Sequence, residues 1–130
     1  MRVLDTDVCV EILRGNQRVV ERRRRTPGPV VTTWVTAAEL CYGAARSDAA
    51  QENGLLVWQF LATLEILELE LQAVERFGRL KAALEAEGRR LADFDLLIAT
   101  ITLSRRAVLV TGNRRHYERV PDLQVEDWLR

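Results

Sequence analysis

Met1-Arg2-Val3-Leu4-Asp5-Thr6-Asp7-Val8-Cys9-Val10-Glu11-Ile12-Leu13-Arg14-Gly15 is the stretch on which the fold turns. A short, largely apolar run stops at Asp5; from Asp7 to Leu13 apolar side chains recur at helical spacing, and Gly15 closes the segment. This reads as strand, turn and helix. The pattern returns further along the chain. Gln17 to Arg25 reads as a basic helix stopped by Pro27-Gly28-Pro29, Val30 to Thr33 as a β-branched strand, and Thr36 to Ala45 as a helix of small and apolar residues.

Asp48 to Leu64 predicts an amphipathic helix and Ile66 to Leu69 a short strand. Gln72 to Glu87 predicts a helix with Val74, Phe77, Leu80 and Leu84 on its stripe and Gly88 as its stop. Asp93 or Asp95 opens a helix that is apolar almost all round and therefore buried. Ala107 to Val110 is a continuous apolar strand, and Leu123 to Val125 adds an edge strand. Strands alternating with helices predict a three-layer α/β/α domain with a mostly parallel central sheet. No repeat, linker or boundary divides residues 1–130, so one domain is expected.

Composition narrows the function. The chain is 48% hydrophobic and 29% charged, the balance of an ordinary globular domain. Its longest uncharged stretch, Asn53 to Leu64, falls short of the ~18 residues a membrane helix needs. With no export signal at the N-terminus, a cytoplasmic protein is expected. One histidine and two cysteines cannot supply a four-ligand Cys/His zinc site. Cys9 and Cys41 fall in apolar helical patterns and read as buried thiols. Any chemistry must rest mainly on carboxylates.

Each acidic candidate has a plain structural use. Asp5, Asp7, Asp93 and Asp95 stand where helices begin, and Thr36-Ala37-Ala38-Glu39 fits a capping box. Together they say more. In a parallel sheet the helix starts after successive strands lie on one edge, which brings Asp5, Glu39, Asp95 and Asn113 together. Several carboxylates in one place repel one another unless a cation lies between them, and oxygen-only ligation suits Mg²⁺ or Mn²⁺. Such an ion supports phosphodiester hydrolysis without a nucleophilic side chain.

Val3-Leu4-Asp5-Thr6-Asp7-Val8, Ala37-Ala38-Glu39-Leu40-Cys41-Tyr42-Gly43, Asp95-Leu96-Leu97-Ile98-Ala99, Leu109-Val110-Thr111-Gly112-Asn113 with His116-Tyr117, and the tail Val120-Pro121-Asp122-Leu123-Gln124-Val125 with Trp128 follow one another in this order. Together these segments resemble the PIN-domain ribonucleases, and among them the VapC toxins of toxin–antitoxin pairs. The resemblance implies a Mg²⁺- or Mn²⁺-dependent endoribonuclease. It carries over Asp5, Glu39 and Asp95 as metal ligands and Asn113 as a fourth catalytic position, where many relatives have aspartate. Thr6, Asp7, Asp93 and Thr111 are secondary candidates. Asp7 departs from the usual asparagine or small polar residue and would restore the charge that Asn113 removes. Gly43, one turn beyond Glu39, leaves room for a backbone phosphate. His116 reads as a loop histidine before it reads as a proton donor.

The resemblance also implies an RNA substrate, a VapB-type antitoxin, operator DNA reached only through that antitoxin, and a homodimer. Val8, Ile12 and Leu13, with the helix of Leu55 to Leu64, are the expected antitoxin groove. Net charge is zero, yet eighteen of the nineteen basic residues are arginine, the better bidentate phosphate ligand. Arg114 and Arg115, directly after Asn113, are the expected RNA contacts. Trp34, Trp58 and Trp128 read as packing residues. Two rival readings are a haloacid-dehalogenase-like phosphatase with Asp5 as nucleophile, whose later phosphoryl-steadying lysine could only be Lys81, within a long helix, and an inactive PIN-like binding module.

Overall fold

Asp5 ends one strand and begins one helix with the same side chain. In the computed structural model, which describes residues 1–130, its Oδ1 accepts from the Thr6 N–H at 2.8 Å and caps α1 (Thr6–Leu13), directly after β1 (Arg2–Leu4). Gly15, at φ 78°, turns the chain into α2 (Gln17–Arg25), whose last turn holds Arg22 to Arg25, the charge that suits a helix C-terminus. Then come β2 (Val30–Thr33), α3 (Trp34–Ala45), α4 (Ala50–Leu61), β3 (Ile66–Leu67) and α5 (Leu71–Ala86). The chain ends with α6 (Asp93–Ser104), β4 (Val108–Val110), α7 (Arg114–Tyr117) and β5 (Gln124–Glu126).

All pairings are parallel, in the order β3-β2-β1-β4-β5. Strand alternation divides the core in two. Val3, Val31 and Leu109 join Leu84, Leu96, Ile98 and Ile101 of α5 and α6 on one face, while Leu4 and Val110 join Val8, Val19 and Phe60 of α1, α2 and α4 on the other. Helix α3 serves both, with Val35 in the first cluster and Leu40 and Ala44 in the second. Buried α6 hides its two threonine hydroxyls by donating them to Leu96 O and Ile98 O, both at 2.8 Å. No helix is long and apolar enough to cross a membrane.

The three-layer expectation holds, with local corrections. The helix expected from Thr36 begins at Trp34, because Thr33, not Thr36, is its cap: Thr33 Oγ1 accepts from the Thr36 N–H at 3.2 Å. Thr36 and Glu39 are thereby released from a capping box. The expected Asp48–Leu64 helix contracts to Ala50–Leu61, and α5 packs through Ala73 rather than Val74, which is exposed. Trp128 is a packing residue, whereas Trp34 and Trp58 are 40% and 63% exposed and do not belong to the core. Both cysteines are free, Cys9 buried and Cys41 half-buried, and burial pushes the Cys9 thiol up to about 12, so it is inert.

Connections from β1 lead through α1 and α2 to β2 on one side, and the chain returns through α5 and α6 to β4 on the other. The loops leaving β1 and β4 therefore diverge. This switch point opens a crevice at the carboxyl edge of the sheet.

Candidate active site

Side chains on α1, α3, α6 and α7, and on the residues that follow β1 and β4, reach that crevice. The Asp5 N–H donates to Val110 O at 2.8 Å, so its backbone continues the sheet while its carboxylate emerges at the edge between β1 and β4. Thr111, one residue past β4, donates its hydroxyl to Asp5 Oδ2 at 2.8 Å and accepts from the Asn113 N–H at 3.0 Å. In the first turn of α1, Asp7 Oδ2 accepts from the Gly112 N–H at 2.8 Å. That approach needs glycine: a Cβ there would lie 2.9 Å from Asp7 Oδ2 and run into the Leu129 side chain. Arg130 fixes the same loop by donating to Gly112 O at 2.6 Å.

Asp95 stands in the first turn of α6. His116 Nε2 lies 2.9 Å from its Oδ2, a hydrogen bond in which the ring nitrogen donates when it carries the proton, and the Tyr117 hydroxyl donates to Oδ1 at 3.3 Å. Glu39, on α3, accepts from the Thr6 hydroxyl at 2.6 Å. Since Thr6 has one proton to give, the Thr36 hydroxyl 3.0 Å away is the donor to Thr6. The hydroxyl relay Thr36, Thr6, Glu39 is what the corrected α3 cap makes possible.

The electrostatics are unusual. No arginine or lysine pairs with Asp5, Asp7, Glu39 or Asp95; His116 is the one ionisable base on any of them. Burial, then the charge of Asp7, and to a smaller degree that of Asp95, push the Asp5 carboxyl up to about 7 against the opposing bonds from Thr111 and Thr6. Asp7 is also pushed up by burial, with the Gly112 and Val8 amides resisting. Burial first, then the charges of Asp5 and Asp95, raise the Tyr117 phenol, so Tyr117 acts as a hydrogen-bond donor throughout the working pH range. The positive ends of α1 and α6 face these acids and offset them only in part.

The structure thus links Asp5 and Asp7 through Thr111, places Asp95 near enough for its charge to act on Asp5, and leaves Glu39 beside them on the Thr6 hydroxyl. Asn113 is exposed at the start of α7, tied to the group by its backbone alone. Asp93 departs from the cluster: two residues from Asp95 on a helix, it faces the other way and meets Lys81 at 2.9 Å. That pair also occupies the lone lysine, leaving the phosphatase reading without a cation for Asp5. His116 is corrected from a loop position to a half-buried partner of Asp95. Tyr117 is the residue sequence reading missed; a polar-tipped aromatic between Asn113 and the apolar Val120 was the available signal.

Beside Glu39 a groove of about 420 Å³ runs away from the carboxylates, floored by Val10, Leu13, Leu40, Ala44, Leu56 and Val57, with Gly43 open beneath it. Of the expected groove residues of α1, Leu13 lines it, whereas Val8 is wholly buried and Ile12 packs against the core, and Val10 takes their place.

Residues 2–123 match the model of the PIN domain. The chain belongs to the PIN-domain family. Within that family its relatives are VapC nucleases. It is 33% identical to the tRNA(fMet)-specific endonuclease VapC of Shigella flexneri, over 97% of this chain and 96% of that protein, and 30% identical to ribonuclease VapC2 of Haemophilus influenzae, over 98% and 97%. A chain in the crystal structure of DNA-bound VapBC from Salmonella typhimurium superposes with a TM-score of 0.92 at 33% identity, covering 98% of this chain and 97% of that one.

Proposed function

We propose that this chain is the endoribonuclease toxin of a toxin–antitoxin pair, hydrolysing RNA phosphodiester bonds with a divalent metal until a VapB-type antitoxin occupies it. The observation that carries the reading is the group of carboxylates at the switch point, with Asp5 buried and without a basic partner although the chain holds eighteen arginines.

The donor set suits a hard cation. No three of the His, Cys, Asp and Glu side chains yet stand close enough to grip one ion; each carboxylate is held by a threonine, histidine, tyrosine or amide donor instead. Mg²⁺ or Mn²⁺ would be held by Asp5, Asp95 and Glu39, the last two directly or through water. When bound, such an ion supplies Lewis acidity toward a phosphate oxygen and lowers the pKa of a water molecule.

The rest is the work of the chain. Thr111 and the Thr6 amide hold Asp5 rigidly at the end of β1. His116 and Tyr117 hold both oxygens of Asp95, and Thr6 aims Glu39. Arg114 and Arg115, exposed on α7 and without acidic partners, are placed to meet phosphate. The groove beside Glu39 is apolar along its floor and ends at the acids, which suits an amphipathic antitoxin segment whose end covers the site.

Wild-type and Asp5→Asn chains expressed without antitoxin test the reading by mapping new RNA 5′ ends, with tRNA(fMet) as the first substrate to inspect because relatives are named for it. New ends and arrested growth are expected for the wild type alone. Purified wild type should cut with Mn²⁺ and stop with EDTA. Equal growth and no new ends in either chain would remove the toxin reading.

A further inference from the structure

Helix α7 carries more than the two side chains that hold Asp95. Its outer face, with the loop between α5 and α6, lines a cleft of about 230 Å³ that contains no apolar side chain: Gly88, Arg89, Arg115, Glu118 and Arg119. Gly88, at φ 67°, ends α5 and turns Arg89 toward α7. Arg119 is braced by donating Nη1 to Arg90 O at 2.6 Å, which orients its guanidinium and leaves its other N–H groups unspent. Arg89 and Arg115 make no side-chain hydrogen bond or ion pair, and Glu118, the one acid in the cleft, pairs with none of the arginines. Three guanidinium groups therefore surround one carboxylate.

From these observations we infer that this cleft is the track for the RNA backbone flanking the cut, taking phosphates one or more nucleotides away from the scissile bond. The inference rests on the ribonuclease reading and deepens it by giving the strand a direction: from the carboxylates, over Arg114 and Arg115, into the cleft. Continuity and chemistry both favour that path. One short helix presents His116 and Tyr117 inward to Asp95 and Arg115 outward to the cleft, so a strand lying on α7 passes from one to the other without a break. Guanidinium groups in a polar, open cleft match successive phosphates bidentately. An acidic peptide would also meet arginines here, but the apolar groove that suits a protein segment lies beyond Glu39, between α1, α3 and α4.

The test compares wild type, Arg89→Ala/Arg119→Ala, the charge-conserving Arg89→Lys/Arg119→Lys, and Arg105→Ala as a basic control at the far end of α6. Binding of a fluorescein-labelled single-stranded RNA is followed by anisotropy across a salt series in EDTA, and cleavage with Mn²⁺ is measured on that RNA and on a dinucleotide too short to enter the cleft. The alanine pair should bind the long RNA more weakly, with the slope of log affinity against log salt reduced by about 0.7 for each phosphate no longer neutralised. Its cutting of the dinucleotide should equal wild type, the lysine pair should recover most of the binding, and Arg105→Ala should change nothing. Wild-type affinity and slope in the alanine pair, with wild type itself active, would overturn the track while leaving the nuclease standing. So would selective loss of binding to a fluorescent poly-glutamate peptide with RNA binding intact. A wild type that cuts neither substrate would overturn the underlying reading.

Discussion

Two carboxylates near the same strands have opposite fates. Glu126, on β5, is gripped by Arg2 through Nε at 2.8 Å and Nη2 at 3.0 Å and accepts from the Trp128 indole at 3.3 Å; the Arg2 bond, ahead of the opposing burial, holds its carboxyl below the usual range. Asp5, at the end of β1, is more deeply buried and has no cation at all, and its carboxyl is pushed up to about 7. A chain with eighteen arginines neutralises the acid that only has to be structural and leaves bare the acid at the switch point. The difference supports the proposed role of Asp5 as a group kept for an external positive charge.

Removing the bare acids should have the largest effect. Asp5→Asn, Asp95→Asn and Glu39→Gln should each cut RNA hydrolysis by more than the ~10–100-fold that loss of an outer partner of a metal ligand costs, with circular dichroism unchanged. Retained cleavage in any of the three would remove that residue from the proposed ligand set.

Next comes stability in the absence of metal. Because Asp5 has a higher pKa folded than unfolded, 3.8 rising to about 7, the folded state binds the extra proton, and stability falls as pH climbs between those values and levels off above them. At ~1.4 kcal/mol per pKa unit, Asp5→Asn should stabilise the metal-free protein at pH 8 by up to about 4 kcal/mol and by little at pH 4. Mn²⁺ should raise the wild-type melting temperature at pH 8 and leave that of Asp5→Asn nearly unmoved. A melting temperature independent of pH from 4 to 8 would contradict the contrast with Glu126.

Tyr117→Phe removes one hydroxyl from Asp95 while keeping the buried ring. It should lower cleavage by about 10-fold and raise the Mn²⁺ concentration needed, with melting little changed. The smallest effect belongs to the neutralised acid: Glu126→Gln should cost about 1 kcal/mol or less above pH 5, a cost that vanishes as acid protonates Glu126, and should leave cleavage intact.

Periodicity made the alternation of layers legible, because each strand and each buried helix obeys one period along its length. The placing of Asp5 and Asp95 followed from topology alone, since a parallel sheet must gather the starts of its helices on one edge. Local capping was less legible. Thr33-Trp34-Val35-Thr36 and Thr36-Ala37-Ala38-Glu39 both offer a threonine three residues ahead of a backbone amide; the fold uses the first, with Thr33 at the end of β2 and Val35 in the core. The grip of His116 and Tyr117 on Asp95 spans 21 and 22 residues and depends on how α7 lies against α6, which no local pattern encodes. Trp58 followed the apolar pattern of α4 yet points outward, because that short helix packs through Val57, Phe60 and Leu61.

The bond between Thr111 and Asp5 joins residues 106 apart in sequence, and β1 gains β4 as a neighbour only when the chain is nearly finished. Closing so long a loop into parallel pairing belongs to the slow part of folding. A ribosome making this protein therefore extrudes a chain whose carboxylates are still scattered, and a fragment released before Thr111 has no crevice to assemble. The crevice is thus among the last features of the molecule to be completed.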